Sequence, residues 1–508
     1  MIKIWMLNPP FFRKFSRAQR SPAVTKSGTL YYPMWLAYAT GVLEKEGYPV
    51  QLIDCPADDV TMEDLLSRGK EWKPEMIVMD TCTPSIINDI KVCNTLKENF
   101  PDAVMVMVGT HVSGLGEETL NTCPGVDIYC HDEYDYTVLD IARWIEGGKN
   151  SDDLEKILGI GYCKHGEPFR TGPRPQIMDL DALPFVSEVY KRHLKIENYF
   201  NPNALPPMVT IMSSRGCPFQ CIWCVYPQTV NGQRARNRSV ENVVEEMAYI
   251  EKAFPQAKSI FFEDDTLTAN RKRCRQMADL IEKRGVKIGW TANARADVDF
   301  ETLKELKRAN CRMLCTGFES GNQEILNNMK KGIKLEKAKQ FAKDARKAGI
   351  LIHGCFMAGN PGETRETLQE TLDYALELNP DTAQFYPVMV YPGTEAYEWY
   401  KSRGFLNVSD YSQWLTEEGL HNTVIELPGL PARELVEWCD VARKKFYLRP
   451  RYIWSKVEQV FSHPEEIGRL ARASKTFFKY LFRGSFPDKP MSPSVSVHGV
   501  SNGVGSGE

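Results

Sequence analysis

The sequence predicts an α/β chain in three parts: a doubly wound (Rossmann-like) parallel sheet over residues 1–150, a partial (β/α)6 barrel over residues 206–404, and a helical segment over residues 405–485. Three observations predict it. Apolar runs of four to eight residues alternate with helical periods through the first 150 residues, the pattern of a parallel sheet buried on both faces. After a Pro-rich connector the alternation restarts, giving six strand–helix units over roughly 200 residues, fewer than a full eight-fold barrel needs. And 508 residues exceed what one hydrophobic core supports, so two to four domains are expected.

In order, IKIWMLNPP reads as the first buried strand and YYPMWLAYATGVLEKEG as the helix that returns from it, ending at Gly47. PVQLIDC, EMIVMDTC, AVMVMVGTH and VDIYC are the next strands, with TMEDLLSRGKEW, SIINDIKVCNTLKENF and YTVLDIARWIEGG as helices. In such a sheet ligands lie beyond the carboxyl ends of the strands. Those ends carry Asn8-Pro9-Pro10, Asp54, Thr81-Cys82-Thr83 and Gly109-Thr110-His111. Residues 151–205 read as a linker containing one hairpin, GIGYCKHGEPFR. PMVTIMSSRGC, SIFFEDD, KIGWTANAR, RMLCTGFES, LIHGCFMAG and TAQFYPVMV are the six barrel strands. The Pro/Ser/Gly-rich tail, 486–508, is expected to be disordered.

A net charge of −3 gives the whole molecule no electrostatic pull toward nucleic acid or membrane. No apolar run nears the ~18 residues of a transmembrane helix. MIKIWMLNPP lacks the charged and apolar regions of a signal peptide, so a cytoplasmic protein is expected. Of the fourteen cysteines, eleven mostly lie inside apolar runs and read as buried small hydrophobes.

The other three, in SRGCPFQCIWC, have ligand spacing: Cys217, Cys221 and Cys224, C-x3-C-x2-C directly after a strand. Four thiolates would close a structural zinc site, but three leave a metal position open, as catalysis requires. A zinc with a distant fourth ligand is the bland alternative, and the strand–loop context does not suit a zinc ribbon. This motif after the first strand of a partial barrel resembles the radical S-adenosylmethionine (SAM) superfamily. The resemblance implies that Cys217, Cys221 and Cys224 hold a [4Fe–4S] cluster whose fourth iron SAM chelates. It also implies an electron donor such as flavodoxin or ferredoxin, and a 5′-deoxyadenosyl radical that abstracts a substrate hydrogen. By the same resemblance Glu263 or Asp264 in FFEDD meets the SAM ammonium, Arg295 in NARAD its carboxylate, and Glu319 and Ser320 in GFESG the ribose. Trp223 and Gly359 are then expected at the adenine. Physically, the run Glu263, Asp264, Asp265 at a barrel mouth is costly unless it faces a cation, and a guanidinium grips a carboxylate bidentately. The bland alternative for any one of these acids is a solvated, capping turn.

The sheet ahead of the barrel is similar to that of the cobalamin-binding class of this superfamily. The resemblance places Asn8, Asp54, Thr81, Thr83, Ser85, Gly109, Thr110, His111 and Ser113 around cobalamin, held between the two α/β units. No D-x-H-x-x-G follows the first strand, so His111 is expected to line the nucleotide-tail groove rather than ligate cobalt, or to be a satisfied strand-end histidine. The loop's Arg13, Lys14, Arg17, Arg20 and Lys26 would cradle phosphate or be solvated. No GxGxxG follows strand one, against a nicotinamide site. SRGCPFQCIWC, FFEDDT, NARAD, GFESGN, GCFMAGNPGE, YPGTE and KKFYLRP are most similar to the radical SAM enzymes of hopanoid side-chain biosynthesis. That likeness implies rearrangement or cyclisation of a lipid-linked substrate, with cobalamin-dependent C-methylation as the alternative. A cobalamin sensor with a structural iron–sulfur site is the alternative of another class. A methylthiotransferase would need further cluster cysteines, which Cys55, Cys82 and Cys123 imitate only loosely. Residues 441–483 hold eleven basic residues against three acids, interleaved with aromatics. Such a segment caps the barrel, lies peripherally on an anionic membrane, or, least favoured, grips nucleic acid.

Overall fold

A computed structural model describes residues 1–462, with side chains to residue 456. The apolar runs form strands as their pattern requires. β1 (Ile4–Asn8), β2 (Val50–Asp54), β3 (Met76–Thr81), β4 (Val104–Gly109) and β5 (Ile128–Cys130) pair in parallel, in the order β2-β1-β3-β4-β5. The direction of winding reverses between β1 and β3, where doubly wound sheets open a ligand crevice. The hairpin β6 (Ile160–Lys164) and β7 (Glu167–Arg170) joins the far edge antiparallel, making seven strands. Period-two alternation could not show this, because it does not say which edge a hairpin joins.

The second sheet runs β15-β14-β13-β12-β11-β8, every pair parallel. Its members are β8 (Met208–Ile211), β11 (Ser259–Phe262), β12 (Gly289–Ala294), β13 (Cys311–Glu319), β14 (Leu351–Ala358) and β15 (Thr382–Pro387). A two-residue ribbon, β9 (Ser214–Arg215) with β10 (Arg236–Asn237), brackets the cysteine loop.

The C-terminal segment differs in part from expectation. Residues 405–431 are irregular, with one 3-10 turn, Tyr411–Trp414, and isolated bridges such as Leu415 to His421. Their Gly, Pro and Ser content and lack of apolar periodicity explain this. Helices follow at Ala432–Tyr447 and Pro450–Ser462. Phe446 is buried, the Tyr447 hydroxyl donates to the Ala383 carbonyl at 2.7 Å, and Tyr452 to Asp381 at 2.9 Å. These aromatics therefore cap the barrel edge, while Val441, Leu448, Ile453 and Trp454 face outward. Residues 463–483 of the basic segment and the tail lie outside the described residues. Among the described residues no helix is long and apolar enough to cross a membrane.

The two α/β units share a dense seam. A Cβ on Gly114 would stand 2.8 Å from the Pro392 carbonyl oxygen, and one on Gly393 3.2 Å from Gly114 Cα. Phe11, Phe15 and Ala23 from the loop after β1 and Cys82 after β3 form one buried apolar cluster with Leu415 of the C-terminal segment.

Candidate active site

The cysteine loop leaves β9 and ends in the short helix Val225–Thr229. Cys217 is buried and its Sγ lies 3.7 Å from Thr266 Oγ1. Burial pushes the Cys217 thiol up and the Cys224 thiol well up, so both are neutral until a metal displaces the proton. Among the described residues no three His, Cys, Asp or Glu side chains gather as a single-ion site. A cuboidal cluster asks something else, that each thiolate bind its own iron.

The carboxyl ends of the barrel strands hold the predicted acids and arginine, but in different roles. After β11, the buried Asp264 accepts from Ser213 N (3.1 Å) and Oγ (2.7 Å) and from Ser214 Oγ (2.5 Å). Both its oxygens brace the strand that leads to the cysteines, so Asp264 is not brought to face a SAM ammonium. Glu263 is held differently: its Oε1 is bonded to Arg20 and its buried Oε2 has no hydrogen-bond partner among the described residues. Asp265 Oδ2 accepts from Gly216 N at 3.0 Å and Asn231 at 2.8 Å, beneath the cysteine loop.

Arg20 is the cation that the acidic run needs, supplied by the chain itself. Its Nη2 donates to the Asp264 carbonyl at 2.9 Å and lies 3.7 Å from Asp265 Oδ1. Arg17 is buried, 2.6 Å from Asp89. The phosphate-cradle expectation for this loop is therefore corrected at both: their charges are spent on carboxylates, whereas Arg13 is exposed near Asp59 at 3.6 Å. Only charge run, not partner, was visible in sequence.

Glu319 ends β13 at φ +65°, a left-handed conformation rare for a side-chain-bearing residue. The β13–β14 register shifts between Gly317 and Glu319, a bulge that re-aims the side chain. A Cβ on Gly317 would lie 1.9 Å from Glu319 Oε1, so glycine there makes room for the carboxylate. Oε1 accepts from Lys331 Nζ at 2.7 Å, and buried Oε2 is unpartnered among the described residues. Lys331 Nζ stands 5.4 Å from the Trp223 ring centroid. Burial opposes its charge, and Glu319 and the nearby Cys221 more than restore it, leaving its pKa raised. Sequence reading missed Lys331; the pair KK before Gly332 carries no mark separating it from solvated lysines. Arg295 donates to the Lys331 and Gly332 carbonyls at 3.0 and 3.1 Å, with Phe219 stacked 3.5 Å from its Cζ.

Two expected contacts are placed elsewhere. Ser320 bonds Thr371 (3.2 Å) and caps Asn322 N (3.2 Å). Gly359, at φ +94°, packs where a Cβ would strike Ile425 and Leu435, so it admits the C-terminal segment rather than a base. Even so, Trp223 Nε1, Glu263 Oε2, Arg295 Nε, Glu319 Oε2 and Asn360 Oδ1 are all buried at these loops without hydrogen-bond partners among the described residues. Buried polar atoms are normally satisfied. Carboxylate oxygens, a guanidinium Nε–H and an indole N–H without hydrogen-bond partners at the loops around the cysteine trio suit a zwitterionic nucleoside ligand, and the residues fit SAM.

At the other strand ends the structure gathers the corrin-side set. Asn8 Nδ2 donates to Asp54 Oδ1 (2.7 Å), Tyr199 to Asp54 Oδ2 (2.8 Å), and Arg17 Nη1 to Asn8 Oδ1 (2.8 Å). Ser85 bonds Asp89, Thr81 Oγ1 the Val108 carbonyl, and Ser113 Oγ accepts from Asp132 N at 3.2 Å. Gly109, at φ +107°, lets Thr110 start a helix where a Cβ would meet Asp80 and Thr81. Thr83 and His111 Nδ1 share a hydrogen bond of 3.1 Å, with Tyr411 edge-on to the imidazole. Burial lowers His111 to about 3, keeping it neutral. These hydroxyls and amides suit a corrin's amide rim in kind. They are here bonded within the protein, and Cys82, between Thr81 and Thr83, packs in the buried cluster of Phe11, Phe15, Ala23 and Leu415.

Comparison with known proteins accords with both halves. The Radical SAM superfamily matches residues 211–375 and the B12 binding domain residues 20–142. An uncharacterized methyltransferase of Pyrococcus horikoshii is 30% identical over 437 residues, 86% of this chain and 91% of the relative. The anaerobic magnesium-protoporphyrin IX monomethyl ester cyclase of Cereibacter sphaeroides is 27% identical, covering 82% and 67%. The hopanoid C-3 methylase of Methylococcus capsulatus is 23% identical, covering 81% and 76%. The fold is also that of the radical SAM methyltransferase TsrM from Kitasatospora setae: TM-score 0.66 at 17% identity, over 87% of this chain and 88% of that one. The chain therefore belongs to the radical SAM superfamily, as a cobalamin-dependent enzyme with its B12-binding domain ahead of the radical SAM domain.

Proposed function

We propose that the enzyme transfers a methyl group to a carbon of a small-molecule or lipid substrate. The observation that carries this is the joint between the two halves: the loop that follows β1 at the N-terminal strand ends carries Arg20 to Glu263 and the Asp264 carbonyl at the barrel mouth, which favours cofactors of both halves acting together. The methyltransferase names of the Pyrococcus and Methylococcus relatives favour methyl transfer over the rearrangement or cyclisation that the hopanoid likeness implied; the cyclase relative keeps cyclisation as the second reading.

When bound, the cluster and SAM supply a 5′-deoxyadenosyl radical for hydrogen abstraction, and cobalamin supplies the methyl group. The chain's own part is positional. Cys217, Cys221 and Cys224 hold the cluster, with Asp264 and Asp265 fixing the backbone around them. Glu263 Oε2 takes the SAM ammonium, Arg295 and Lys331 its carboxylate, Glu319 Oε2 a ribose hydroxyl, and Trp223 borders the adenine. Phe219 and Trp223 cover these cations and keep water out, which strengthens each charged contact. Flavodoxin or ferredoxin would deliver the electron. The outward Val441, Leu448, Ile453 and Trp454, beside Lys444, Lys445 and Arg451, would let the cap rest on an anionic membrane if the substrate is a lipid.

The test is anaerobic incubation of reconstituted, cobalamin-loaded enzyme with SAM, reductant and candidate substrates, including a hopanoid extract. Methyl transfer predicts that 5′-deoxyadenosine and S-adenosylhomocysteine rise together. Substrate-dependent deoxyadenosine alone would replace methyl transfer by rearrangement or cyclisation.

A further inference from the structure

The loop after β1 carries two guanidiniums three residues apart, Arg17 buried and Arg20 half-buried, and each is fastened to a different unit. Arg17 is bolted into the N-terminal sheet, donating to Asp89 (2.6 Å), to Asn8 Oδ1 and the Pro9 carbonyl (2.8 Å each), and to Ser85 (3.2 Å). Arg20 reaches into the barrel mouth, where it holds Glu263 Oε1 and the Asp264 carbonyl, with the Tyr226 ring centroid 5.9 Å away. A carboxylate gripped at one oxygen has the other aimed by the grip. Here that other oxygen, Glu263 Oε2, is buried and unpartnered among the described residues.

We propose that Arg20 is a positioning residue for SAM: it fixes Glu263 so that Oε2 faces the ammonium, and thereby makes the SAM site depend on the cobalamin-binding unit. This rests on the reading that Glu263 receives the ammonium. A charge argument supports the geometry. Facing Glu263 are Arg20, Tyr31, Asp265, Cys315 on β13, Tyr226 beyond the cysteine loop, and Asn293 on β12. Arg20 is the cation among them. Burial drives the Glu263 carboxyl upward and Arg20 opposes it. Without the guanidinium the carboxyl would be pushed further up, with only the Asn293 amide left to oppose burial, and would offer less of an anion to an ammonium.

The experiment is equilibrium binding of SAM to the oxidised, reconstituted, cobalamin-loaded enzyme across pH 6.5–9, for the parent, R20K, R20M, E263Q and R20M/E263Q. Cluster absorbance and iron content confirm that each variant is loaded. R20M should weaken SAM binding about 10- to 100-fold at pH 7, the range of one charge-assisted contact. The deficit should shrink toward pH 9 as Glu263 ionises, R20K should recover most of it, and R20M/E263Q should bind no worse than E263Q. Unchanged binding by E263Q would overturn the Glu263 assignment itself. Weak binding by E263Q beside unchanged binding by R20M would overturn the role of Arg20 alone. Tighter binding by R20M would make Arg20 a competitor for Glu263 and would equally overturn it.

Discussion

The Glu319–Lys331 pair allows a prediction worked from its geometry. At 2.7 Å, and with the effective dielectric of about 20 that suits protein sites, the two charges attract by ~6 kcal/mol. Desolvating two buried ions costs several kcal/mol in return, which leaves a coupling of about 2–4 kcal/mol. Cutting Lys331 alone strands Glu319, already at a strained backbone position, as an unpaired buried charge. Lys331→Met, which keeps the stem beneath Trp223, should therefore cost ~3–5 kcal/mol. Glu319→Gln should cost somewhat less, because an amide still accepts from the ammonium. The double variant should be less destabilised than the sum of the two by the coupling. Urea unfolding of the four proteins, read as a double-mutant cycle, measures it, and SAM affinity measured on the same four shows whether the coupling reaches the ligand. Additivity within about 0.5 kcal/mol would refute the reasoning, since it would mean the two side chains do not sense each other.

Two further outcomes are expected. Burial pushes the Asp80 carboxyl up to about 7, against 3.8 for an unburied one, so the folded chain keeps that proton to higher pH than the unfolded chain. Stability from this group is intact below pH 3.8 and is lost as pH rises toward 7. Asp80→Asn should therefore gain little at pH 4 and as much as ~4 kcal/mol at pH 8, seen as a melting-temperature difference that widens with pH; a constant difference would contradict the assignment. Asp264→Ala should lower stability by about 3 kcal/mol through its lost bonds to Ser213 and Ser214 while shifting SAM affinity of the folded protein less than about threefold. Glu263→Gln should do the reverse, and equal SAM losses in both would mean that Asp264 is also a ligand.

The strands were readable because runs such as IWMLN and VMVMVG are buried on both faces, and burial of that kind leaves its mark residue by residue. The cysteine trio was readable because ligand spacing is local. Choosing between Glu263 and Asp264 was not, because neighbouring side chains leave a strand end in opposite directions and only the three-dimensional surroundings say which one faces the mouth. Arg20 was further out of reach: its partner lies 243 residues away, and nothing in a loop of five basic residues tells a paired guanidinium from a solvated one. Lys331 was hidden for the same reason. The irregular stretch 405–431 was read as helical, whereas Trp414 and Leu415 are buried individually, the first bonded to the Val390 carbonyl and the second among Phe11, Phe15 and Ala23.

The seam between Gly114 and Pro392 also bears on how such proteins can be recombined. Two glycine-deep contacts and the Arg20 crossing require surfaces matched to within a methyl group. A grafted B12-binding unit with a side chain at the position of Gly114 would strike the Pro392 carbonyl, and one without an arginine at the position of Arg20 would leave the barrel's acids without their cation. Substitutions inside an intact pair are therefore the safer route to new specificity, because exchanging whole units breaks the joint between them.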